Sequence, residues 1–246
     1  MIIEPSSDED LHQVLDWLKQ ERVHEGFGFY SNANLIENGH AAGDELFVLK
    51  AGPAVAAFVL GRPGSIDIFE TRPDLRGCGY GRILANFCID RGYHADIAVM
   101  EFECSPETSL PFWKKVGFSE RPAPWGDGTW VMKMMAKRLD LPDGDPTEVT
   151  IKILSEEYAW SDNNEAIYEY RQRAIVDQSG VIWLPTRVVI FAPELPRNMD
   201  VAVEIVVDGV RRIIGKAKYE EPRNAGVLRD RGGNFYIDKI IPSSSP

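Results

Sequence analysis

The densest chemical signal in the chain is Arg76-Gly77-Cys78-Gly79-Tyr80-Gly81-Arg82, which follows a strand-like run and turns directly into a helix. Three glycines at alternate positions let successive backbone N–H groups point into one concavity with no Cβ in the way. The first turn of the following helix adds unpaired donors and a partial positive charge. That combination binds a diphosphate, and Arg76 or Arg82 can supply a cation to it. A tight strand-to-helix connection would use the same three glycines with no ligand, so the glycines alone leave both readings open. The spacing is not that of a Walker loop, because no Gly-Lys-Ser/Thr follows. Nor is it the dinucleotide fingerprint, which needs a two-residue gap before its last glycine.

A longer pattern is more specific. Pro73-x-x-Arg76-x-x-Gly79-x-Gly81 resembles the acetyl-CoA loop of the GNAT superfamily of N-acetyltransferases, written Arg/Gln-x-x-Gly-x-Gly/Ala. Downstream, the run from Ser105 to Phe118 resembles the family's second signature, a helix ending in aromatic-x-x-x-Gly-Phe, here Trp113 to Gly117-Phe118. The two stand in the family's order and at its usual separation. The resemblance covers about residues 1–138 and leaves the rest of the chain unexplained.

The resemblance implies a mixed sheet with flanking helices, splayed into a central cleft, with acetyl-CoA as cosubstrate and no metal. Backbone groups around Phe69 and Thr71 would pair with the pantetheine arm like an added strand. The amides of Arg76, Gly77, Cys78, Gly79, Tyr80 and Gly81 would hold the diphosphate, with Arg82 at its edge. The helix containing Thr108 and Trp113 would flank the pantetheine and thioester end.

Amine attack on a thioester needs a neutral amine, a polarised carbonyl and a proton donor for the thiolate. In many family members a Glu nine residues before the loop arginine is the base; that position is Asp67 here. Asp67 shares strand parity with Phe69 and Thr71, whereas Glu70 points to the opposite face. A solvated strand-end aspartate is the competing account of Asp67, and Glu101 and Glu103 are competing carboxylates on the next strand. Many members also place a Tyr four residues before the Gly-Phe pair to protonate the thiolate; Trp113 stands there, and an indole is no general acid. Packing, on the cofactor arm or in the core, is what remains to it. Cys104 reads as a small buried hydrophobe rather than an acyl carrier.

Around these residues the N-terminal part alternates helical and strand periodicities, giving an α+β domain ordered β-α-(α)-β-β-β-α-β-α-β. Ser6-Ser7-Asp8 offers N-caps for a helix running to about Arg22. Strand-like runs follow at Glu45–Lys50, Val55–Leu60, Ser65–Thr71, Asp96–Cys104 and Thr129–Lys137, with a helix at about Gly79–Gly92 and a short one from Pro106 to Gly117. Phe27, Phe29 and Tyr30 lie where the family's acceptor-side segment is found and read equally well as core. The polar stretch Asp140–Pro146 is the linker candidate. It divides residues 1–139, the GNAT-like domain, from residues 147–246, a small mainly antiparallel β domain of about six strands built as a sandwich or barrel. The aromatics Tyr158, Trp160, Tyr168, Tyr170 and Trp183 are expected in its core.

Composition sets bounds. The net charge is −11 and both parts are acidic, which gives a polyanion such as nucleic acid no electrostatic support and leaves Arg211-Arg212 too little to claim one. No run approaches the ~18 apolar residues of a membrane span. The N-terminus shows no secretory pattern, and three unpaired cysteines fit a reducing, cytoplasmic setting. His12, His24, His40 and His94 show no ligand spacing. The expected activity is acetyl-CoA-dependent N-acetyl transfer to an amine-bearing acceptor, either a small molecule, an amino acid or a protein amino group. A homodimer is compatible with this. A non-catalytic acyl-CoA-binding or scaffolding protein is the alternative, and a third reading makes the β domain an interaction module that delivers the transferase to a macromolecule.

Overall fold

The structure is a computed structural model and describes residues 1–25, 28–156, 165–195 and 200–242, the side chains of residues 24 and 25 excepted. The chain packs as two compact units, Met1–Ala95 with Ser109–Phe118, and Asp96–Thr108 with Ser119–Pro246.

The first unit holds a four-stranded antiparallel sheet in the order β1 (Ile2–Pro5), β2 (Leu46–Ala51), β3 (Ala54–Leu60), β4 (Ile68–Thr71). Its helices are α1 (Asp8–Glu25), α2 (Ala33–Ala42), α3 (Tyr80–His94) and α4 (Leu110–Lys115). Helix α1 starts one residue after Ser7, whose backbone N–H donates to Asp10 at 2.9 Å while its hydroxyl faces the Asp10 amide at 3.3 Å, a reciprocal cap. Buried Asp10 also pairs with Lys50 at 2.9 Å, which fastens the helix start to β2. Val14, Trp17 and Leu18 of α1 and Ile36 of α2 pack on Leu46, Val48, Phe58, Leu60 and Ile68, so this sheet has one face covered by helices at the spacing their sequences carry. Phe29 and Tyr30 pack against the same core, which answers their assignment in favour of packing.

In the second unit a three-stranded sheet, order β5 (Val99–Glu103), β7 (Trp130–Met134), β6 (Ser119–Arg121), packs with a seven-stranded antiparallel sheet. The seven strands are β8 (Asp145–Ser155), β9 (Tyr168–Val176), β10 (Ile182–Ile190), β11 (Val201–Val207), β12 (Val210–Lys216), β13 (Val227–Arg229) and β14 (Phe235–Ile240). Their order is β12-β11-β8-β9-β10-β14-β13, a single curled sheet rather than two facing ones. Its concave face gathers Ile151, Ile153, Leu184, Val203, Ile205 and Ile237 into one core. A short helix α5 (Glu220–Asn224) touches both edge strands, β12 and β13, and sets Pro222 against Gly215, so the edges are covered instead of left as pairing sites.

The expected linker at 140–146 is not a break between units: Asp145 and Pro146 already pair with Val176 and Ile175 in β8. Residues on either side of it share one unit. Ala98, Val99 and Met132 of the small sheet form a common core with Val189 and Tyr236 of the large one. Backbone bonds from Arg187 to Lys137 and from Leu139 to Pro185 run across the same seam. Composition marked this stretch as polar, which is a statement about solvent exposure; it said nothing about which strands the flanking apolar residues would meet.

Tyr168 and Tyr170 pack against the curled core as expected, whereas Trp183 does not. It alternates with the core residue Leu184 along β10 and takes the other face, where its indole N–H donates to Asp177 at 2.8 Å. Tyr158, Trp160 and Phe27 lie outside the described residues. Asp177 organises the β9–β10 turn: the Ser179 hydroxyl, the Trp183 indole and the Ser179 and Val181 amides hold its carboxyl at about 2. A folded pKa below the unfolded value of about 3.9 adds stability above that value and loses it as pH falls through about 2. Trp183 fluorescence in Asp177→Asn is therefore expected to lack the acid transition that the wild-type shows in this window. An unchanged acid limb in that variant would remove Asp177 as the cause.

Candidate functional site

Strand β4 delivers the chain to the loop. A single 3-10 turn at Pro73–Leu75 follows it, and Gly79 caps α3. Gly77 and Gly79 have φ of 82° and 91°, the left-handed region that an L side chain rarely enters. A Cβ built on either meets nothing within 4 Å, so open space lies on that side of the loop. Gly81 has a different reason: its Cβ would stand 3.3 Å from the Thr71 hydroxyl and 3.4 Å from the Phe112 ring, so glycine lets α3 approach β4 and α4 closely.

The amides sort into two sets. Those of Arg76 and Cys78 are used inside the turn, donating to Pro73 and Leu75 at 3.3 Å each. Among the described residues, those of Gly77, Gly79, Tyr80, Gly81 and Arg82 have no acceptor. Five donors thus stand at the start of a 15-residue helix whose aligned peptides favour an anion there. The expectation that every amide from 76 to 81 is available is corrected for Arg76 and Cys78, because the 3-10 geometry closes their hydrogen bonds locally.

The two arginines also separate. Arg82 is exposed and makes no ion pair among the described residues. Arg76 is committed: its Nε donates to the Thr71 carbonyl at 3.2 Å, and its Nη2 to Glu21 at 2.7 Å and Glu70 at 3.2 Å. Burial pushes the Glu70 carboxyl up, and Arg76 and the Thr71 N–H only partly offset this. Glu21, at the far end of α1, carries no local sequence signal for this contact, which is why sequence reasoning missed it.

Strand β4 is the edge of its sheet. Arg72 donates its amide to Ala56, and in this register residues 68, 70 and 72 face β3. The backbone groups of Phe69 and Thr71 therefore turn to the open edge, as parity requires. Those of Phe69 are free of partners among the described residues. Those of Thr71 are not: the N–H donates to Glu70 at 2.9 Å and the carbonyl accepts from Arg76.

Trp113 is buried, with Phe69, Phe112 and Phe118 around it at ring-centroid distances of 5.0, 4.9 and 5.5 Å. Its ring is consumed by internal packing, so the core is where it belongs. Half-buried Phe112, one residue earlier, is the aromatic that reaches Gly81, a contact the helical spacing alone did not single out. Thr108 lies in a 3-10 turn, Glu107–Ser109, and belongs to the second unit.

Asp67 is exposed just before β4, and its carboxylate accepts from the Ser65 hydroxyl at 3.2 Å. Of its competitors, Glu101 is paired with Arg121, and Glu103 lies against Gly128. Cys78 is exposed, and Cys88 and Cys104 are buried; burial pushes the Cys88 thiol up to about 12. His12 and His94 bond the carbonyls of their own helices, and His40 bridges Ser6 and Asp8.

Over its N-terminal half the chain is similar to solved N-acetyltransferases. The ribosomal-protein-S18-alanine N-acetyltransferase from Escherichia coli matches at 17% identity, with 53% of this chain, 90% of that one and a TM-score of 0.41. The PaiA N-acetyltransferase from Thermoplasma acidophilum, in complex with coenzyme A, matches at 15% identity over 54% and 98% with a TM-score of 0.43. The N-acetylglutamate synthase from Neisseria gonorrhoeae, complexed with coenzyme A and N-acetyl-glutamate, matches at 12% identity over 55% and 35% with a TM-score of 0.45. No family model matches the chain, and no curated protein does. Among the described residues no helix is long and apolar enough to cross a membrane.

Proposed function

We propose that the loop at residues 76–82 and the edge of β4 bind acetyl-CoA, and that the chain transfers the acetyl group to a primary amine. The observation that supports this most is the set of five amides at the start of α3 that have no acceptor among the described residues, on a loop where a Cβ at 77 or at 79 would meet open space. Exposed Arg82 adds a cation beside them. A diphosphate fits that donor set in charge and in hydrogen-bonding capacity.

Bound acetyl-CoA supplies an activated acyl thioester, whose transfer to an amine forms an amide and leaves a thiol. The residues of this chain bind and orient. Gly77, Gly79, Tyr80, Gly81 and Arg82 hold the diphosphate, and the Phe69 N–H and C=O receive the amides of the arm. Phe112 and buried Trp113 form an apolar wall behind Phe69. Asp67 takes the proton from the acceptor's ammonium, directly or through water; its exposure leaves it accessible, whereas Glu101 is neutralised by Arg121. With an indole at position 113, water protonates the leaving thiolate. The acceptor is a small molecule, an amino acid or a protein amino group.

Thiol release from acetyl-CoA against a panel of small amines, amino acids and N-terminal peptides tests the reading. Turnover with at least one amine is the expected result, and Asp67→Asn should lower kcat by roughly 10²–10⁴-fold with coenzyme A affinity unchanged. Coenzyme A binding with no thiol release for any acceptor would make the chain an acyl-CoA-binding module instead. Full activity in Asp67→Asn would remove that residue from the chemistry.

A further inference from the structure

One feature of the β4 edge does not serve acyl-CoA binding as it stands. Thr71 has both outward backbone groups, and both are covered by side chains of its own segment. Glu70 folds back to accept the N–H of the residue that follows it. Arg76 crosses the turn to donate to the carbonyl. The same guanidinium donates to Glu70 as well, so Thr71, Glu70 and Arg76 close a hydrogen-bonded ring over the strand edge. Glu21 fastens that ring to α1, with its side chain only 7% exposed and 2.7 Å from Arg76 Nη2. Phe69, two residues back on the same edge, has no such cover.

We infer that Glu70 and Arg76 occupy the place of a bound extended chain at Thr71, latched by Glu21, and that acyl-CoA binds by displacing them. The inference rests on the acyl-CoA reading of this loop. An edge N–H has one hydrogen to give, so the Glu70 carboxylate and an incoming amide carbonyl are mutually exclusive partners. The covered form therefore lowers the apparent affinity by the fraction of molecules that hold it. Displacement also changes Arg76. Once off Thr71, its guanidinium sits one residue from Gly77 and is released to the diphosphate side of the loop. The latch converts a counter-ion of two glutamates into a counter-ion of the ligand, so binding of the arm favours binding of the phosphates.

The expected effect runs against the usual loss on mutation. Glu70→Ala frees the Thr71 N–H and one tie of Arg76, and should tighten coenzyme A by about tenfold, the worth of one hydrogen bond to a charged group. Glu70→Gln keeps a neutral acceptor for Thr71 and should gain less. Glu21→Gln leaves Arg76 a neutral acceptor in place of a carboxylate and so loosens that tie alone, should also gain less than Glu70→Ala, and covers the case in which Glu70→Ala does not fold. Calorimetric titration of wild-type and the three variants reads this out, with the phosphoadenosine diphosphate portion of coenzyme A, which lacks the arm, as a second probe. The gain in Glu70→Ala should be larger for the whole molecule than for the portion without an arm. If the wild-type binds coenzyme A and neither Glu70→Ala nor Glu21→Gln binds it more tightly, the latch is wrong while the acyl-CoA reading stands. If the wild-type binds no coenzyme A, both fall.

Discussion

Gly79→Leu should abolish coenzyme A binding while leaving the first unit folded. Two effects add. Position 79 has φ of 91°, so any L side chain there carries a backbone penalty of about 1–2 kcal/mol. That penalty is affordable to a domain whose core, around Leu18, Phe58 and Leu60, lies elsewhere. The second effect is local. A Cβ at 79 projects into space with no atom within 4 Å, so the leucine meets no protein and is tolerated by the fold. It stands instead in the open space beside the loop that is proposed to hold the diphosphate, and a bulky group there should exclude the anion. Calorimetry should show a loss of at least about 100-fold in affinity, equivalent to about 2.7 kcal/mol, with a thermal midpoint lowered by only a few degrees. Retained affinity would mean that the amides of residues 77–82 do not hold the diphosphate.

The second large effect concerns Arg187. This residue is fully buried at the seam between the two sheets of the second unit, stacked on Tyr236 at 3.9 Å. It donates to Asp238 at 2.8 and 2.7 Å and to Asp96 at 2.8 Å. Burial by itself lowers the basicity of this guanidinium, but Asp238 and Asp96 outweigh that and hold it charged. Arg187→Met keeps the length and removes the charge, leaving both carboxylates without their shared partner. Breaking one side of a buried ion pair costs about 3–5 kcal/mol, and Asp96, which keeps Lys137, places the effect at the lower end, about 3 kcal/mol. A melt of the second unit should shift down by roughly 6–12 °C, and an unshifted melt would show that the pairs are marginal. The same geometry bears on truncation. Removing residues 141–246 strips Val189 and Tyr236 from Ala98, Val99 and Met132, and strips Asp230 from the Ala98 amide, to which it is bonded at 2.7 Å. The remaining three-stranded sheet would expose that face, so a truncated chain should aggregate rather than report on delivery of the transferase to a partner.

Much of the site was legible residue by residue. Glycines at 77 and 79 stand where the backbone is left-handed, with φ of 82° and 91°, a conformation no other residue reaches cheaply. Strand parity put the side chains of Asp67, Phe69 and Thr71 on one face, and the family resemblance pointed to the backbone of Phe69 and Thr71 as an edge. The strands and helices of the N-terminal half followed from their periodicities, with boundaries off by a few residues and the three-residue β6 missed, since three residues hold no period. In the C-terminal part the alternation located six of the seven strands but not their closure. Whether antiparallel strands make a sandwich, a barrel or one curled sheet depends on pairing between distant segments, which alternation does not encode.

Local geometry, then, was set by the amino-acid order: which backbone positions need glycine, where a helix begins, which residues share a strand face. These are properties of a few consecutive residues and survive being read in isolation. Partnerships between distant residues were decided only by folding. Glu21 reaches Arg76 across 55 positions, Arg187 reaches Asp96 across 91, and Asp230 reaches Ala98 across 132. Such contacts depend on three-dimensional proximity, and no local pattern records which of many charged side chains will be brought within 3 Å of another. The tertiary structure alone therefore determined that one loop arginine is ion-paired while, among the described residues, the other is not, and that the strands after residue 140 complete the packing of Ala98, Val99 and Met132.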